Sequence, residues 1–330
     1  MLRNYEALSG EVNLLGMVKA RTVIGRYLNR TNLTYYSELS RLIGCEVYVK
    51  HENHNPTGSF KIRGALNFFH HMSGEELESG VLVATRGNHG LAMAWAGRWF
   101  NVPCTVVVPE HNNPEINRIV ESFGADLIVH GRDFYDAQSY CDELVDSAGY
   151  YYVEQGNEPE ILNGLGTMGL EIFEDLPDVD VILCPIGGGS GCASLIKVAQ
   201  ALNPKVEIIG VQAERAAAFY ESWKKGERVT IEGADTVADG LAARSVFQLP
   251  WVIMKDHISD VVLLSEEEIL GGVRLALQTT HNLAETAGAT AIAAALKIKE
   301  RLEGKKVVLV MSGGNLDHEH LLQALACSPA

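Results

Sequence analysis

A lysine at the predicted start of a helix is the residue whose type and position best suit chemistry. Lys61 lies in residues 55–65, where Asn, Pro, Thr, Gly and Ser predict a turn that leads into a helix. Ser59 is the expected N-cap, and the positive helix end favours a lowered pKa of the Lys61 amine. A neutral amine forms a Schiff base with a carbonyl. By itself, a lysine beside Arg63 would more often lie at the surface.

A glycine-rich stretch is suited to hold a phosphate. The stretch consists of Gly187, Gly188, Gly189, Ser190 and Gly191. It follows the apolar run 179–186 and precedes a helical pattern, so that freed amides and a helix N-terminus can form an anion cradle. A single phosphate fits better than a dinucleotide, because the third glycine of the dinucleotide fingerprint is missing. A plain strand-to-helix turn is the alternative interpretation.

A second glycine-rich stretch begins at Ser312, directly after the apolar run 307–311. The serine hydroxyl can hydrogen-bond a pyridine nitrogen without protonating it, whereas a carboxylate would keep the ring cationic. A capping serine before a Gly-Gly turn is the alternative. Together, Lys61, the phosphate cradle and Ser312 predict one site for pyridoxal 5'-phosphate.

The turn at residues 85–90 closes one strand-like run and opens another helical pattern. Amides at such a helix start can hold a substrate carboxylate. The Asn88 side chain offers a donor and an acceptor to a cofactor oxygen. A histidine in the first helical turn is more often structural, so His89 is predicted to bind substrate and not to catalyse.

The elements that must position these turns alternate between strand and helix from residue 46 onward, which predicts an α/β fold with parallel sheets. The candidate strands are 46–50, 81–85, 105–108, 126–130, 179–185, 206–212, 260–264 and 306–311. The candidate helices are 60–71, 89–100, 114–123, 132–148, 191–202, 266–280 and 286–301.

Breaks at residues 73–74 and 156–159 suggest that one domain is inserted into another. The prediction is a small α/β domain at 76–155 within a large cofactor-binding domain at 1–75 and 156–330. A cleft between two such lobes, at the carboxyl ends of the strands, is the expected ligand site.

The composition favours a small-molecule partner. A formal net charge of −15 argues against nucleic acid and against an anionic membrane surface. Six cysteines without a Cys-x-x-Cys pair indicate a reducing, cytoplasmic setting. No membrane span or signal peptide is expected. No metal is expected either, because the histidine pairs lack partners at zinc spacing.

On these motifs the sequence resembles the serine/threonine dehydratases, fold type II pyridoxal phosphate enzymes related to serine racemase and, more distantly, to cysteine synthase. The resemblance covers residues 33–317 and is most specific at 57–65, with further family segments at 236–242 and 285–289. It implies a two-lobed α/β fold like that of tryptophan synthase β, with the cofactor in the cleft. It also implies a homodimer without a regulatory domain after Ala330.

The resemblance implies that Lys61 carries the cofactor as an internal aldimine, with Phe60 beside the ring. The freed lysine then removes the Cα proton of a β-hydroxy amino acid, most simply L-threonine or L-serine, and loss of the hydroxyl gives a 2-oxo acid and ammonia. The predicted cofactor-binding residues are Phe60, Lys61, Asn88, Gly187, Gly188, Gly189, Ser190, Gly191 and Ser312. The predicted substrate-binding residues are Ser59, Thr85, Arg86, Gly87 and His89.

The sequence departs from the family pattern at two places. Arg86 stands where serine racemase has a second catalytic serine, so racemisation is not expected. Gln212, Ala216 and Ala218 stand where metal-activated relatives have Glu, Ala and Asp ligands, so a divalent cation is not expected.

Arg86 leaves the substrate open, because its guanidinium can clamp an acidic or polar group or can face solvent and support the loop. Phenylserine and threo-3-hydroxyaspartate are therefore alternative substrates. A β-replacement enzyme resembling cysteine synthase is an alternative reaction, and a non-catalytic binding protein is an alternative class.

Overall fold

The computed structural model describes residues 3–327, which form an α/β protein with two sheets. The strands are β1 (Leu33–Tyr35), β2 (Glu46–His51), β3 (Val81–Ala84), β4 (Cys104–Val108), β5 (Asp126–Val129), β6 (Tyr151–Tyr152), β7 (Val181–Pro185), β8 (Glu207–Ala213), β9 (Asp260–Leu264) and β10 (Lys306–Met311). The helices are α1 (Tyr5–Glu11), α2 (Leu14–Ile24), α3 (Ser37–Ile43), α4 (Lys61–His71), α5 (Gly74–Ser79), α6 (Asn88–Phe100), α7 (Pro114–Ser122), α8 (Phe134–Ala148), α9 (Pro159–Asp175), α10 (Ser190–Leu202), α11 (Ala218–Lys225), α12 (Gln248–Met254), α13 (Glu266–Thr280), α14 (Thr286–Lys297), α15 (Lys299–Leu302) and α16 (His318–Ala326).

The larger sheet has six strands in the order β1-β2-β10-β7-β8-β9, and only β1 runs antiparallel to its neighbour. The central strand β10 pairs Val308 with Tyr48 of β2 and with Ile182 of β7. Its apolar side chains are buried on both faces, as expected for a parallel strand covered by helices on either side. This sheet and its helices are called the large lobe.

The smaller sheet has four parallel strands in the order β5-β4-β3-β6. All four lie between residues 81 and 152, so this sheet is one continuous segment of chain, called the small lobe with its helices. The α/β class with parallel sheets in two lobes is confirmed. The domain boundaries at 75/76 and 155/156 stay a prediction.

Each strand predicted from the sequence is present, with ends that differ by at most two residues. The helix predicted at 286–301 is two helices, because the chain leaves helical geometry at Ile298. No helix among residues 3–327 has the length and apolarity needed to cross a bilayer.

Helix α9 was absent from the predicted elements, because its three glycines lower helix propensity. The structure shows why glycine is required. A Cβ atom on Gly164 would lie 2.4 Å from the Arg63 carbonyl oxygen, and one on Gly166 would lie 2.5 Å from the Met17 sulfur. The glycines therefore allow α4 and α2 to pack closely on α9.

A cluster of buried charges lies between α4 and α9. The Arg63 side chain, 1% exposed, donates to Glu52 at 2.8 and 2.9 Å and to Glu171 at 2.7 and 2.8 Å. Lys50 donates to Glu171 at 2.6 Å and to the Thr31 carbonyl oxygen at 2.8 Å. Two cations and two carboxylates thus neutralise one another, and the cluster ties β2, α4 and α9 together.

Candidate active site

A cavity of about 680 Å³ lies between the lobes, at the carboxyl ends of strands of both sheets. Its wall includes the start of α4, the turn between β3 and α6, the turn between β7 and α10, and the loop after β10. These are the turns that the sequence singled out. The structure therefore brings the predicted site residues together, with Ser59 as the exception.

Lys61 begins α4, and its amine lies in the cavity wall. The Lys61 Nζ donates to Ser190 Oγ at 3.2 Å and lies 5.2 Å from the centre of the Phe60 ring. Burial lowers the pKa of the amine to about 8, and the Glu285 charge opposes part of this shift. Among residues 3–327, no carboxylate lies within ion-pair distance of Nζ. The neutral form of this amine is therefore far more populated near neutral pH than that of an exposed lysine.

Ser59 differs from both predictions made for it. The N-cap of α4 is Phe60 without a side-chain cap, so the lowered pKa of Lys61 is attributed to burial. Ser59 is fully buried, forms a backbone bridge with Gly313, and does not line the cavity. Its hydroxyl has no partner within the described part of the chain. Phe60 does line the cavity and packs against the Gly191 backbone.

The glycine loop is held open by close packing behind it. A Cβ on Gly187 would lie 2.3 Å from the Gly240 carbonyl oxygen, and one on Gly188 would lie 2.3 Å from the Phe247 ring. Gly189 has φ +95°, a conformation that favours glycine. Helix α10 begins at the next residue, so its first amides and the loop form one concave surface on the cavity wall. This arrangement suits a phosphate.

Ser312 follows β10 and is fixed beside the lysine turn, since its carbonyl oxygen accepts from the Phe60 amide at 3.1 Å. It lines the cavity on the large-lobe side. Strand β10 thus places a hydroxyl opposite the small lobe.

Asn88 is held from two sides. Its Nδ2 donates to Glu285 Oε1 at 2.8 Å, and its Oδ1 accepts from Asn315 Nδ2 at 2.7 Å. Glu285 precedes α14, and burial raises the pKa of its carboxyl to about 7. Glu285 and Asn315 were not among the predicted site residues. A signal was present, because each lies in a stretch that the sequence singled out for other reasons, namely 285–289 and the Ser312 loop.

The turn at 85–90 is stabilised internally by Thr85, whose Oγ1 accepts from the Gly87 amide at 3.0 Å and from the Gly90 amide at 3.4 Å. The turn leads into α6, whose N-terminus lies at the cavity. Thr85 and Gly87 line the cavity with their neighbours.

Arg86 is paired with a carboxylate, although its side chain is partly exposed. Its guanidinium reaches from the small lobe to Asp239 of the large lobe, with Nη2 2.6 Å from Oδ1. Both side chains are about 40% exposed and line the cavity. Burial raises the pKa of Asp239, and Arg86 counteracts that shift. The pair therefore spans the cleft.

His89 is buried in the cavity wall, next to Lys61. Burial, aided by the Lys61 charge, lowers the pKa of its imidazole well below the usual value, so the ring is neutral. Its Nε2 has no partner among the described residues. That nitrogen is also closed to solvent, so His89 forms part of the cavity wall without presenting Nε2 to the cavity.

Tyr135 forms a second bridge between the lobes and was not predicted. Its hydroxyl accepts from the Arg244 amide at 2.6 Å, and its ring lies 4.9 Å from the Arg244 guanidinium carbon. It lines the cavity from the start of α8.

Gln212 stands where the family resemblance places a cation ligand, and its side chain is fully buried. Its Nε2 donates to the Ile186 and Ala216 carbonyl oxygens at 3.2 and 3.3 Å, and its Oε1 accepts from the Tyr220 amide at 2.8 Å. Every hydrogen bond of this side chain therefore joins backbone groups. In the described part of the chain, no group of three His, Cys, Asp or Glu side chains is arranged for a metal ion.

Comparison with known proteins places these features in context. The family described as "Pyridoxal-phosphate dependent enzyme" matches residues 24–313. An L-threonine ammonia-lyase from Thermotoga maritima is 37% identical over 306 residues, which are 93% of this chain and 76% of that protein.

Solved structures of other proteins also superpose closely on this chain. The processed form of threonine deaminase isoform 2 from Solanum lycopersicum superposes with a TM-score of 0.91 at 29% identity, covering 98% of this chain and 94% of that one. Serine racemase from Dictyostelium discoideum gives a TM-score of 0.86 at 31% identity, covering 93% of this chain and 99% of that one.

Proposed function

Because the chain belongs to the family of pyridoxal-phosphate dependent enzymes, we propose that it removes water and ammonia from L-threonine or L-serine and releases a 2-oxo acid. It is a pyridoxal phosphate-dependent dehydratase, a lyase of fold type II. One observation carries the proposal, namely that a half-buried lysine with a lowered pKa shares one cavity with a glycine cradle and a serine after β10.

The residues present fit the cofactor. The loop 187–191 would hold the phosphate of the cofactor. It lies at the N-terminus of α10, a helix of 13 residues, where the backbone amides and the helix dipole favour an anion. The Ser312 hydroxyl would donate a hydrogen bond to the ring nitrogen, and Phe60 would cover one side of the ring. Pyridoxal phosphate, when bound, supplies an electron sink for charge that develops at the substrate Cα.

Lys61 would form the covalent bond to the cofactor and later hold the Cα proton at Nζ. Both roles need the neutral amine, and the lowered pKa increases its share near physiological pH. The Ser190 hydroxyl accepts a hydrogen bond from Nζ and so keeps the amine directed at the loop.

The substrate carboxylate would lie at the start of α6. This helix has 13 residues, so its first amides and its dipole favour an anion. His89 would pack beside the same group as a neutral part of the cavity wall. Thr85 and Gly87 would contribute through the shape of the turn, because the Thr85 hydroxyl is engaged by backbone amides.

The substrate side chain is proposed to be uncharged. Arg86, the cation that could clamp a second carboxylate, is paired with Asp239 at 2.6 Å. A second carboxylate would have to displace Asp239 and would be repelled by it. Threonine and serine avoid this cost, and the name of the Thermotoga maritima relative supports threonine.

We also propose a homodimer in the cytoplasm. The resemblance to the serine/threonine dehydratases implies the dimer, and six free cysteines support a reducing compartment. Light scattering of the purified protein at several concentrations tests the dimer, since a single mass of about 36 kDa throughout would contradict it.

A substrate panel tests the activity. The purified protein is incubated with L-threonine, L-serine, threo-3-hydroxyaspartate and phenylserine, and 2-oxo acid and ammonia are assayed. We expect 2-oxobutanoate from L-threonine or pyruvate from L-serine without an added thiol. Consumption of L-serine that needs an added thiol and releases neither 2-oxo acid nor ammonia would indicate β-replacement. The absence of 2-oxo acid from both L-threonine and L-serine would overturn the proposal.

A further inference from the structure

Three side chains from three separate elements form a hydrogen-bonded chain at the cavity. Asn315 lies in the loop after β10, Asn88 begins α6 of the small lobe, and Glu285 precedes α14. Asn315 Nδ2 contacts both the Thr57 carbonyl oxygen at 2.9 Å and Asn88 Oδ1 at 2.7 Å. Asn88 Nδ2 contacts Glu285 Oε1 at 2.8 Å.

The orientation of both amides follows from the first contact. A backbone carbonyl only accepts, so Asn315 must present its NH₂ group to Thr57. The second proton of that NH₂ group then faces Asn88, which must present Oδ1. The Asn88 NH₂ group therefore faces Glu285 and uses one of its two protons there. One N–H of Asn88 remains for a ligand in the cavity that Asn88 lines.

We propose that Glu285 and Asn315 are positioning residues, which hold the Asn88 amide so that its second N–H is left for an oxygen of bound pyridoxal phosphate. Asn88 alone would sample several rotamers and both amide orientations, and binding would have to overcome that freedom. Fixing Asn88 in advance removes this cost. The proposal rests on the cofactor of the proposed function and not on its substrate.

The local sequence is consistent with this role. A Cβ on Gly313 would lie 2.5 Å from Glu285 Oε1, so glycine is needed for the carboxyl to reach its place. The Asn315 backbone amide also donates to Glu285, so the two ends of the chain hold each other. Burying a carboxyl with only partial compensation costs stability, and a purely structural position could be filled by an apolar side chain at lower cost.

A double-mutant cycle tests the proposal with a readout that needs no turnover. Apoprotein is titrated with pyridoxal phosphate, and the dissociation constant is taken from the visible absorption of the bound cofactor. The variants are Glu285→Ala, Asn88→Ala and the double variant. We expect Glu285→Ala to weaken binding about tenfold in the wild-type background, the value of a hydrogen bond to a charged or strongly polarised partner. In the Asn88→Ala background the same change should weaken binding less than about twofold, because the positioned group is gone.

Three further variants separate positioning from a general structural effect. Glu285→Gln keeps the acceptor and should bind the cofactor within about threefold of wild type. Glu154→Gln is the matched control, because Glu154 also lines the cavity but pairs with Arg3 and Asn157 instead of Asn88, and it should leave affinity unchanged. If Glu285→Ala does not fold, as judged by circular dichroism, the cycle is repeated with Asn315→Ser, for which the same non-additivity is expected.

Equal weakening by Glu285→Ala in both backgrounds would overturn the proposal, since Glu285 would then act independently of Asn88. A wild-type protein that binds the cofactor but forms no 2-oxo acid would defeat the proposed function and leave this inference standing. A wild-type protein that binds no cofactor would defeat both.

Discussion

Two cations on the first turn of α4 have opposite surroundings. Arg63 is buried among Glu52, Glu171 and Thr167, and its guanidinium donates to all three. Lys61, two positions earlier, donates to one serine hydroxyl and faces a cavity. Burial opposes the charge of both residues, but the Glu52 and Glu171 charges raise the pKa of Arg63, whereas the pKa of Lys61 falls to about 8.

The difference separates structural from functional burial. A buried charge that is fully paired, such as that of Arg63, holds β2, α4 and α9 together and has no hydrogen-bonding group left for a ligand. A buried group with too few partners costs stability, and its altered pKa suits it to catalysis. The same contrast applies to the carboxylates, because Arg63 lowers the pKa of Glu52 against the effect of burial, while burial raises that of Glu285 to about 7.

The largest effect is expected for Lys61→Ala. Activity should fall by roughly 10⁴-fold or more, because covalent attachment and proton transfer are both lost. The melting temperature of the apoprotein should stay the same or rise, since a poorly satisfied amine is removed. Lys197→Ala, a partly buried lysine on α10 outside the cavity, is the control and should retain activity. Turnover by Lys61→Ala within tenfold of wild type would contradict a catalytic role of Lys61 and with it the contrast with Arg63.

Arg63→Ala should have the converse effect on stability. It leaves Glu52 and Glu171 buried without their main cation, and we expect a loss of about 3–5 kcal/mol in the free energy of unfolding. Urea unfolding of the apoprotein measures this loss. A loss below about 1 kcal/mol would mean that the Arg63 cluster contributes little to stability, and the contrast with Lys61 would fail.

The pH dependence of stability should distinguish the two regions. The pKa of Glu285 in the folded state, about 7, lies above the ordinary value of 4.5, so the folded protein binds the extra proton between these pH values. Ionised Glu285 therefore lowers the free energy of unfolding. The loss grows as the pH rises from 4.5 to 7 and reaches about 3 kcal/mol. Glu52 has a lowered pKa, so its contribution is present above pH 4.5 and is lost in more acidic solution.

Glu285→Gln isolates the first of these effects. The difference in unfolding free energy between the variant and wild-type apoprotein should grow in favour of the variant as the pH rises from 5 to 7. Urea unfolding at four pH values measures it. A difference that is constant over this range would show that Glu285 titrates normally in the folded protein.

The smallest effect is expected for the exposed ion pair at the cleft. Asp239→Asn frees Arg86 and should raise the kcat/KM of threo-3-hydroxyaspartate relative to L-threonine by up to about fivefold, the value of a solvent-exposed pair. Glu115→Gln is the control, because Glu115 also joins the lobes through His318 but lies outside the cavity. An unchanged ratio, or the same change in the control, would refute a role of Asp239 in selecting the substrate charge.

Much of this arrangement could be predicted from the sequence, because it depends on local patterns. The apolar runs that became β7 and β10, and the glycine or serine residues that follow them, indicated both the sheet and the loops at its carboxyl edge. Since parallel strands end at the same edge, residues as distant as Gly187 and Ser312 could be assigned to one site.

The remainder depended on contacts between distant segments. Ser59 has the residue type of an N-cap, yet pairing of its backbone with Gly313 buries it away from the cavity. The Arg86–Asp239 pair joins residues that are 153 positions apart, and nothing local to Arg86 indicates its partner. Helix α9 was missed because its glycines serve packing against α2 and α4, which local propensity does not reflect.

The central claim is that Lys61, and no other lysine, forms the covalent bond to pyridoxal phosphate. The most direct test is reduction of the holoprotein with borohydride, followed by proteolysis and mass spectrometry of the modified peptide. We predict that the added cofactor mass is found on Lys61, in a peptide that contains Phe60 if cleavage permits. Modification of another lysine, or no modification of a protein that shows the cofactor absorption band, would contradict the account.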